Sequence, residues 1–389
     1  MRQSQTYESI TFFIDTGGTF TDAMATDTDG RIIARRKVLS SSSLRGSAEP
    51  VDKTRLKVNL PFDHSPAGNF FRGYELLIGE KEKRRFKILS SYGNQVKLDG
   101  ELSTEYASGS SYPIEIQSPE EAPVLAMRMI TNTPMESDLP PLRLNLSTTR
   151  GTNALLERKG ACSVLLITEG FGDLLMIKNQ QRPDLFSLNI LKPEPFANQI
   201  IEVPERLDSK GTIIRNLDRK RLKERLEELH PDTESAGICL MHCYRNPVHE
   251  RQVASILKEM GIRHVCCSSE LSKTIKIVPR AVTTDVNATL SPVMENYLNN
   301  IASVTGAGSI RVMGSSGNLT EARQYTPKDG LLSGPAGGVV GAAAIGVRNG
   351  FSNIISFDMG GTSTDVSRYD GETRSEEHTS ELQSLLIIS

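Results

Sequence analysis

The residues with the clearest chemical potential stand in two copies of one pattern. Asp15-Thr-Gly17-Gly18-Thr19-Phe-Thr21-Asp22 recurs as Asp358-Met-Gly360-Gly361-Thr362-Ser-Thr364-Asp365, with six of eight positions identical. Each copy follows an apolar run, and each is followed within ten residues by Asp-Gly. Paired glycines let a tight turn bring backbone N–H groups against an anion with no side chain between them, and threonine hydroxyls add donors. An aspartate that ends the first strand repels phosphate but can hold Mg2+ through the water shell of the ion. The pattern therefore predicts phosphate binding by Gly17, Gly18, Thr19 and Thr21 and by Gly360, Gly361, Thr362 and Thr364, with Asp15 and Asp358 on the metal side. One copy alone could be a glycine-rich hairpin turn. Two copies are hard to reach by accident, with odds of roughly one in a few hundred at ordinary residue usage. No GxxxxGK[ST] loop occurs, and Ser333–Gly341 lacks the spacing of a GxGxxG finger, so a lysine-based phosphate loop is not the engine.

These residues need strands to aim them. Ile10–Asp15 reads as a buried strand, followed by the Gly-Gly turn and a second strand-like stretch closing at Asp29-Gly30. From about residue 45 to 130 the pattern degrades into serine, lysine and proline-rich stretches with short strands such as Phe86–Ser90 and Gln95–Leu98, which reads as an irregular insertion. Further on, Thr152–Lys159 reads as a helix stopped by Gly160, and Cys162–Thr168 as a strand. Gly237–His242 is a strand, Asn246 and Pro247 open a helix ending near Gly261, and His264–Ser268 is the next strand. Such alternation predicts a mainly parallel, helix-covered sheet. A helical pattern over Ala281–Val304, broken at Pro292, leads to the strand Ser309–Gly314 and the glycine-rich Ser333–Gly346.

Composition narrows the partners. The 389 residues carry 45 basic and 47 acidic side chains, which leaves no electrostatic footprint for nucleic acid or an anionic membrane. A small-molecule substrate is the expectation. The five cysteines, Cys162, Cys239, Cys243, Cys266 and Cys267, form no CxxC pair and read as reduced and cytoplasmic. The first residues lack an apolar signal core, and no apolar run approaches the ~18 residues of a membrane span. Other chemistries find little support: there is no GxSxG elbow, and His242 and His249 are seven apart, beyond the spacing that puts two ligands on one helix face. Thr148, Thr149, Thr152 and Asn153 precede or open a helix and suit either an anion site or plain capping. Glu205-Arg206 is a second candidate pair for meeting a substrate, but reads more readily as a solvated ion pair.

Two Asp-Gly-Thr hairpins resemble those of the superfamily of sugar kinases, heat-shock chaperones and actin. Within it, the ordered segments IDTGGTFTD, STTRGTNALLERKG, LITEGFGDLL, QRPDLF, LMHCYRNPVHE, LSGPAGGVVGA and FDMGGTSTDVS are similar to the hydantoinase A/5-oxoprolinase family. The resemblance implies an α/β fold of the actin-like ATPase (ribonuclease H-like) type. Its first domain would cover residues 1–330, and a connecting helix and the start of a second domain residues 331–373. Residues 374–389, which resemble a translated sequencing adapter, read as a foreign tail. The resemblance further implies ATP and Mg2+ as cofactors and a lactam substrate beside the phosphates. The loop Asn179-Gln-Gln-Arg182-Pro183-Asp184 is the candidate for its carboxylate, since arginine offers a bidentate fork, although a surface loop turned by Pro183 fits equally. The implied reaction is ATP-driven opening of a cyclic amide, with 5-oxoproline favoured over a hydantoin or the ketone of acetone carboxylases. A chaperone-like ATP-binding module is the alternative. A missing C-terminal region or separate second subunit and a homo-oligomeric parent are expected, and the 389-residue chain alone is expected not to turn over ATP.

Overall fold

In the computed structural model the described residues are 9–60, 66–79, 83–103, 106, 109–179, 194–306, 310–359, 364–371 and 374–378. The chain opens with β1 (Ile10–Thr16), β2 (Phe20–Thr26) and β3 (Ile32–Leu39). The next six strands are β4 (Ser43–Pro50), β5 (Arg55–Asn59), β6 (Glu75–Ile78), β7 (Arg84–Tyr92), β8 (Gln95–Leu98) and β9 (Tyr112–Gln117). There follow α1 (Ala122–Thr131), β10 (Leu142–Thr148), α2 (Arg150–Leu156), β11 (Ser163–Thr168), α3 (Leu174–Ile177), β12 (Gln199–Val203), β13 (Arg206–Leu207) and β14 (Ile213–Arg215). Then come α4 (Arg219–Leu226), β15 (Ser235–Cys239), α5 (Val248–Glu259), β16 (His264–Cys267), α6 (Ser268–Leu271) and α7 (Ile277–Thr305). The last elements are β17 (Ile310–Met313), β18 (Leu319–Glu321), α8 (Ser333–Arg348), β19 (Ile354–Met359), β20 (Thr364–Tyr369) and β21 (Arg374–His378). Two compact units result, one of Met1–Arg150, Tyr297–Tyr325 and Leu332–Val340, the other of Gly151–Asn296, Thr326–Leu331 and Gly341–Ser389.

The first unit is organised by a six-stranded sheet in the order β18-β17-β10-β1-β2-β3. β1 is antiparallel to β2 and parallel to β10, so the hairpin predicted at the N-terminus is stitched to a strand 132 residues further along the sequence. Strict alternation on β1 puts Ile10, Phe12 and Ile14 in the core and leaves Phe13 and Asp15 on the open face. α1, which has Pro123 in its first turn and is capped by Asn132 in the left-handed region (φ 54°), packs its buried side chains against β1, β2 and β3.

Where the sequence reads as irregular, the structure has a closed antiparallel barrel in the order β4-β5-β8-β7-β6-β9. Leu56, Val58, Leu76, Ile78, Ile88, Val96, Leu98, Ile114 and Ile116 are its buried side chains, and just before β6 Phe70, Phe71 and Tyr74 are fully buried, with edge-to-face rings 5.1 and 5.9 Å apart. The alternation in Arg55–Asn59 and Gln95–Leu98 is that of barrel strands, but the pairings that close a barrel are non-local and leave no local mark.

The second unit holds the expected parallel sheet, β12-β11-β15-β16, flanked by α4, α5 and the first part of α7. Gly237 in β15 allows α7 to approach closely, since a Cβ there would lie 2.9 Å from the Thr284 side chain. The break expected at Pro292 does not occur. α7 runs through it, with Leu290 and Met294 buried on either side. The hydroxyls of Thr283, Thr284, Thr289 and Ser291 donate to the carbonyls four residues back at 2.6 to 2.9 Å, which reconciles a β-branched, hydroxyl-rich sequence with a buried helix. The same unit carries the separate sheet β19-β20-β21. Its third strand comes from Arg374–His378, within the segment read as foreign, and is joined to β20 by backbone pairing. No helix among the described residues is long and apolar enough to cross a membrane.

Candidate functional site

The first hairpin turns at Gly17–Thr19, where the Gly17 N–H donates to the Phe20 carbonyl at 3.0 Å. Neither Gly17 nor Gly18 has a positive φ. The need for glycine at 17 is one of approach: a Cβ would stand 3.2 Å from the Phe20 oxygen. Register pairs Asp15 with Asp22 and Thr16 with Thr21. Residues paired across strands share a face, so Lys37, Asp22, Asp15 and Ser147 form one row across β3, β2, β1 and β10. All four line a groove of about 740 Å³ within the first unit, together with Met313 and the α8 glycines Gly334 and Gly337. The Lys37 Nζ lies 3.0 and 3.2 Å from the two Asp22 carboxylate oxygens and 5.0 Å from the Phe20 ring centroid. The Ser147 Oγ is shielded from solvent and has no hydrogen-bond partner among the described residues.

Thr21 is placed differently from Thr19, which is exposed at the turn. The Thr21 side chain is fully buried, and its hydroxyl is 3.0 Å from Ser40 Oγ, which in turn donates to the Gly17 carbonyl at 2.7 Å. The Ser40 proton being spent on Gly17, Thr21 is the donor of the pair, and the two hydroxyls brace the turn from behind. Behind Asp15, Thr16 accepts from the Tyr297 hydroxyl at 3.2 Å, and its carbonyl accepts from the Thr149 N–H at 2.9 Å. Burial pushes the Tyr297 phenol up to about 12, so it remains a donor at any ordinary pH.

The second hairpin repeats the register of the first. Asp358 pairs with Asp365 and Met359 with Thr364, matching Asp15 with Asp22 and Thr16 with Thr21. Gly360, Gly361 and Thr362 lie outside the described residues, and Asp358 and Thr364 are described in their backbone alone. The duplication seen in sequence is thus a duplication of strand pairing.

Of the loop expected to meet substrate, Asn179 is exposed just after α3, while Arg182 and Asp184 lie outside the described residues. The chain that follows the loop is held twice. Arg158 donates to the Glu194 and Pro195 carbonyls at 2.9 and 2.8 Å, and Asp285 on α7 accepts from the Phe196 and Ala197 N–H groups, both at 2.8 Å. Burial pushes the Asp285 carboxyl up to about 6, against the pull of those two N–H groups. The hydroxyls near α2 are committed to structure: Thr148 Oγ1 accepts from the Arg150 N–H at 3.1 Å, and Thr152 donates to the Leu331 carbonyl.

Glu205 and Arg206 do not form the solvated pair expected of them. Glu205 is fully buried, 2.6 Å from His249 Nδ1 and accepting from Thr168 Oγ1 at 2.5 Å, while Arg206 turns to the Glu169 carbonyl at 3.0 Å. Neighbouring Glu250 accepts from the Leu240 and Ser269 N–H groups and the Ser268 hydroxyl. These carboxylates tie together the carboxyl ends of β11, β12, β15 and β16. The clue in the sequence is Asn-Pro-Val-His-Glu, which puts a histidine and a glutamate in the first turn of a helix that needs a buried face. Nucleophilic thiols are absent from this cluster, because burial pushes Cys239 up to about 11 and Cys266 and Cys267 up to about 12. No group of three or more His, Cys, Asp or Glu side chains among the described residues is arranged to hold a metal ion.

Residues 110–261 match the hydantoinase/oxoprolinase N-terminal region, and residues 280–386 match the hydantoinase/oxoprolinase domain that follows it. The barrel over β4–β9 lies almost wholly before the first of these ranges. The chain is 39% identical to 5-oxoprolinase 1 of Arabidopsis thaliana over 287 residues, covering 65% of this chain and 23% of that protein. It therefore spans about a quarter of the length of that relative. Among solved structures it is similar to nucleotide-free acetone carboxylase, with a TM-score of 0.64 at 20% identity over 93% of this chain and 44% of the other. The ATP-dependent caprolactamase of Pseudomonas jessenii gives 0.59 at 21% identity over 95% and 47%. At such identities the likeness carries the fold, the α/β architecture of the actin-like ATPase type. On the sequence matches and the fold together, the chain belongs to the hydantoinase/oxoprolinase family.

Proposed function

We propose that the protein to which this chain belongs opens a cyclic amide at the expense of ATP, and that the groove at the first hairpin receives the phosphates. The observation that carries the reading is the row Asp15, Asp22 and Ser147 in a groove lined by the two strands that flank the glycine turn and by the start of α8. Relatives named 5-oxoprolinase, and a structural neighbour named an ATP-dependent caprolactamase, support the same reaction class. We favour 5-oxoproline as substrate and glutamate as product.

A five-membered lactam is held by amide resonance and resists direct hydrolysis. Transfer of the γ-phosphoryl to its carbonyl oxygen, with loss of the N–H proton, gives an imidate phosphate and ADP; water adds to its carbon, the adduct breaks the C–N bond as the nitrogen takes up a proton, and a second water releases phosphate from the acyl phosphate so formed. The hydroxyl-braced turn keeps the Gly18 and Thr19 backbone fixed beside the phosphates, with no reorganisation at the moment of transfer. The oxygen donors of Asp15 and Ser147 suit a hard cation such as Mg2+, which when bound would neutralise phosphate charge. Asp15 would hold that ion at the first hairpin, and Asp358 has the matching strand position in the second. Arg182, with Asn179 and Asp184, would recognise the substrate carboxylate.

The test is lactam-dependent phosphate release by the full-length protein. Wild type should release phosphate on addition of 5-oxoproline, and Asp15→Asn should lower that rate by orders of magnitude without loss of fold. Stimulation by unfolded polypeptide and not by lactam would turn the assignment to a chaperone-like module.

A further inference from the structure

We propose that Lys37 is a phosphate-contacting residue of the groove and that Asp22 is the positioning residue on which its ammonium rests until phosphate arrives. The inference rests on the reading of the groove as a phosphate site. A polyphosphate set against Asp15 and Asp22 meets two carboxylates, so a cation must share the site. Three basic residues line the groove: Arg35, Arg36 and Lys37. Arg35 pairs with Met24, one row further from the glycine turn, and Arg36 pairs with Ala23, whose side chain is buried on the opposite face. Lys37 alone of the three belongs to the aspartate row.

Its present contacts suit an exchangeable ligand. The Lys37 and Asp22 side chains are 56 and 59% exposed, and an ion pair so open to water is weakly held. The Phe20 ring beside its ammonium limits how far the head can wander from the turn. An ammonium with three donors on a four-carbon stem can leave one pair of oxygens for another without moving the backbone. Asp22 then has a defined effect. By occupying Lys37 it lowers the affinity of the groove for phosphate, and by keeping the ammonium within reach it sets where the phosphate is met.

The experiment is calorimetric titration of magnesium tripolyphosphate into the 389-residue chain at low ionic strength, for wild type, Lys37→Met, Asp22→Asn, the double variant and Lys37→Arg. Lys37→Met keeps the length of the stem and should weaken binding roughly tenfold, the worth of one charge-assisted contact. Asp22→Asn should tighten binding several-fold, the double variant should match Lys37→Met, and Lys37→Arg should retain most of the affinity. A wild type that binds while Lys37→Met binds equally well overturns the role of Lys37 and leaves the groove standing. Weaker binding by Asp22→Asn shows instead that Asp22 meets the cation directly, and also overturns the proposal. A wild type that binds no tripolyphosphate removes the groove reading, and the proposal with it.

Discussion

One eight-residue pattern is folded twice in this chain, and the two copies differ in what lies against them. Aligning Asp15 with Asp358 aligns Phe12 with Ile355, Ile14 with Phe357 and Thr16 with Met359. In the first copy these side chains are 0, 3 and 7% exposed; in the second they are 76, 66 and 73% exposed. Strand pairing within the hairpin is the same. The difference lies outside it. β1 has β10 on its far edge and α1 over its inner face, whereas β19 is paired only with β20 among the described residues. The hairpin register is thus a property of the repeated residues, and burial is a property of the strands and helices that accompany them. An open apolar face of this kind is a natural place for further chain or a partner, and a liability for aggregation without one.

The largest expected effect breaks or upholds that comparison directly. Phe12→Ala should destabilise the chain by about 3–5 kcal/mol in urea, as for other buried aromatics, while Phe357→Ala should change stability by no more than about 0.5 kcal/mol. Equal costs at the two positions would mean that the β19 face is covered in solution.

A pH scan sharpens the comparison by marking the unit that carries the second hairpin. Asp285 has a folded pKa of about 6 against 3.8 for the unfolded chain, so the folded state holds its proton more tightly. Its contribution therefore favours the fold below pH ~4 and is lost as pH rises through about 6, a change of roughly 3 kcal/mol. Urea unfolding followed by a probe in the parallel sheet should show this slope in wild type and lose it in Asp285→Asn. The signal of the first unit should not carry it.

The smallest effect concerns the turn itself. Thr21→Val removes the hydroxyl that braces Ser40 and should cost about 1 kcal/mol, with Thr21→Ser restoring most of it. Because that hydroxyl faces inward, tripolyphosphate affinity should fall far less for Thr21→Val than for Lys37→Met.

How far the sequence could be read follows from the range of the interactions concerned. The hairpin, β11, the β15–α5–β16 succession and β17 come from local signals: alternation, paired glycines, an Asn-Pro helix start. The barrel depends on pairings such as Ser43 with Gln117, which no window of neighbouring residues contains. Glu205 next to Arg206 reads as a surface pair because adjacency is visible, whereas the partner of Glu205 is His249, 44 positions away. The row Lys37, Asp22, Asp15, Ser147 is similarly hidden, since it needs the registers of three strand pairings at once. Thr21 looks like a donor to phosphate until the burial of its side chain is known.

Receipt of phosphate at the first hairpin is tested most directly by amide hydrogen exchange. With excess magnesium tripolyphosphate, the amides of Gly18 and Thr19 and those opening α8 at Ser333–Gly338 should exchange more slowly, and Asp15→Asn should abolish the change. Unchanged exchange at these amides, with protection instead at the carboxyl ends of β11 and β15, would contradict it.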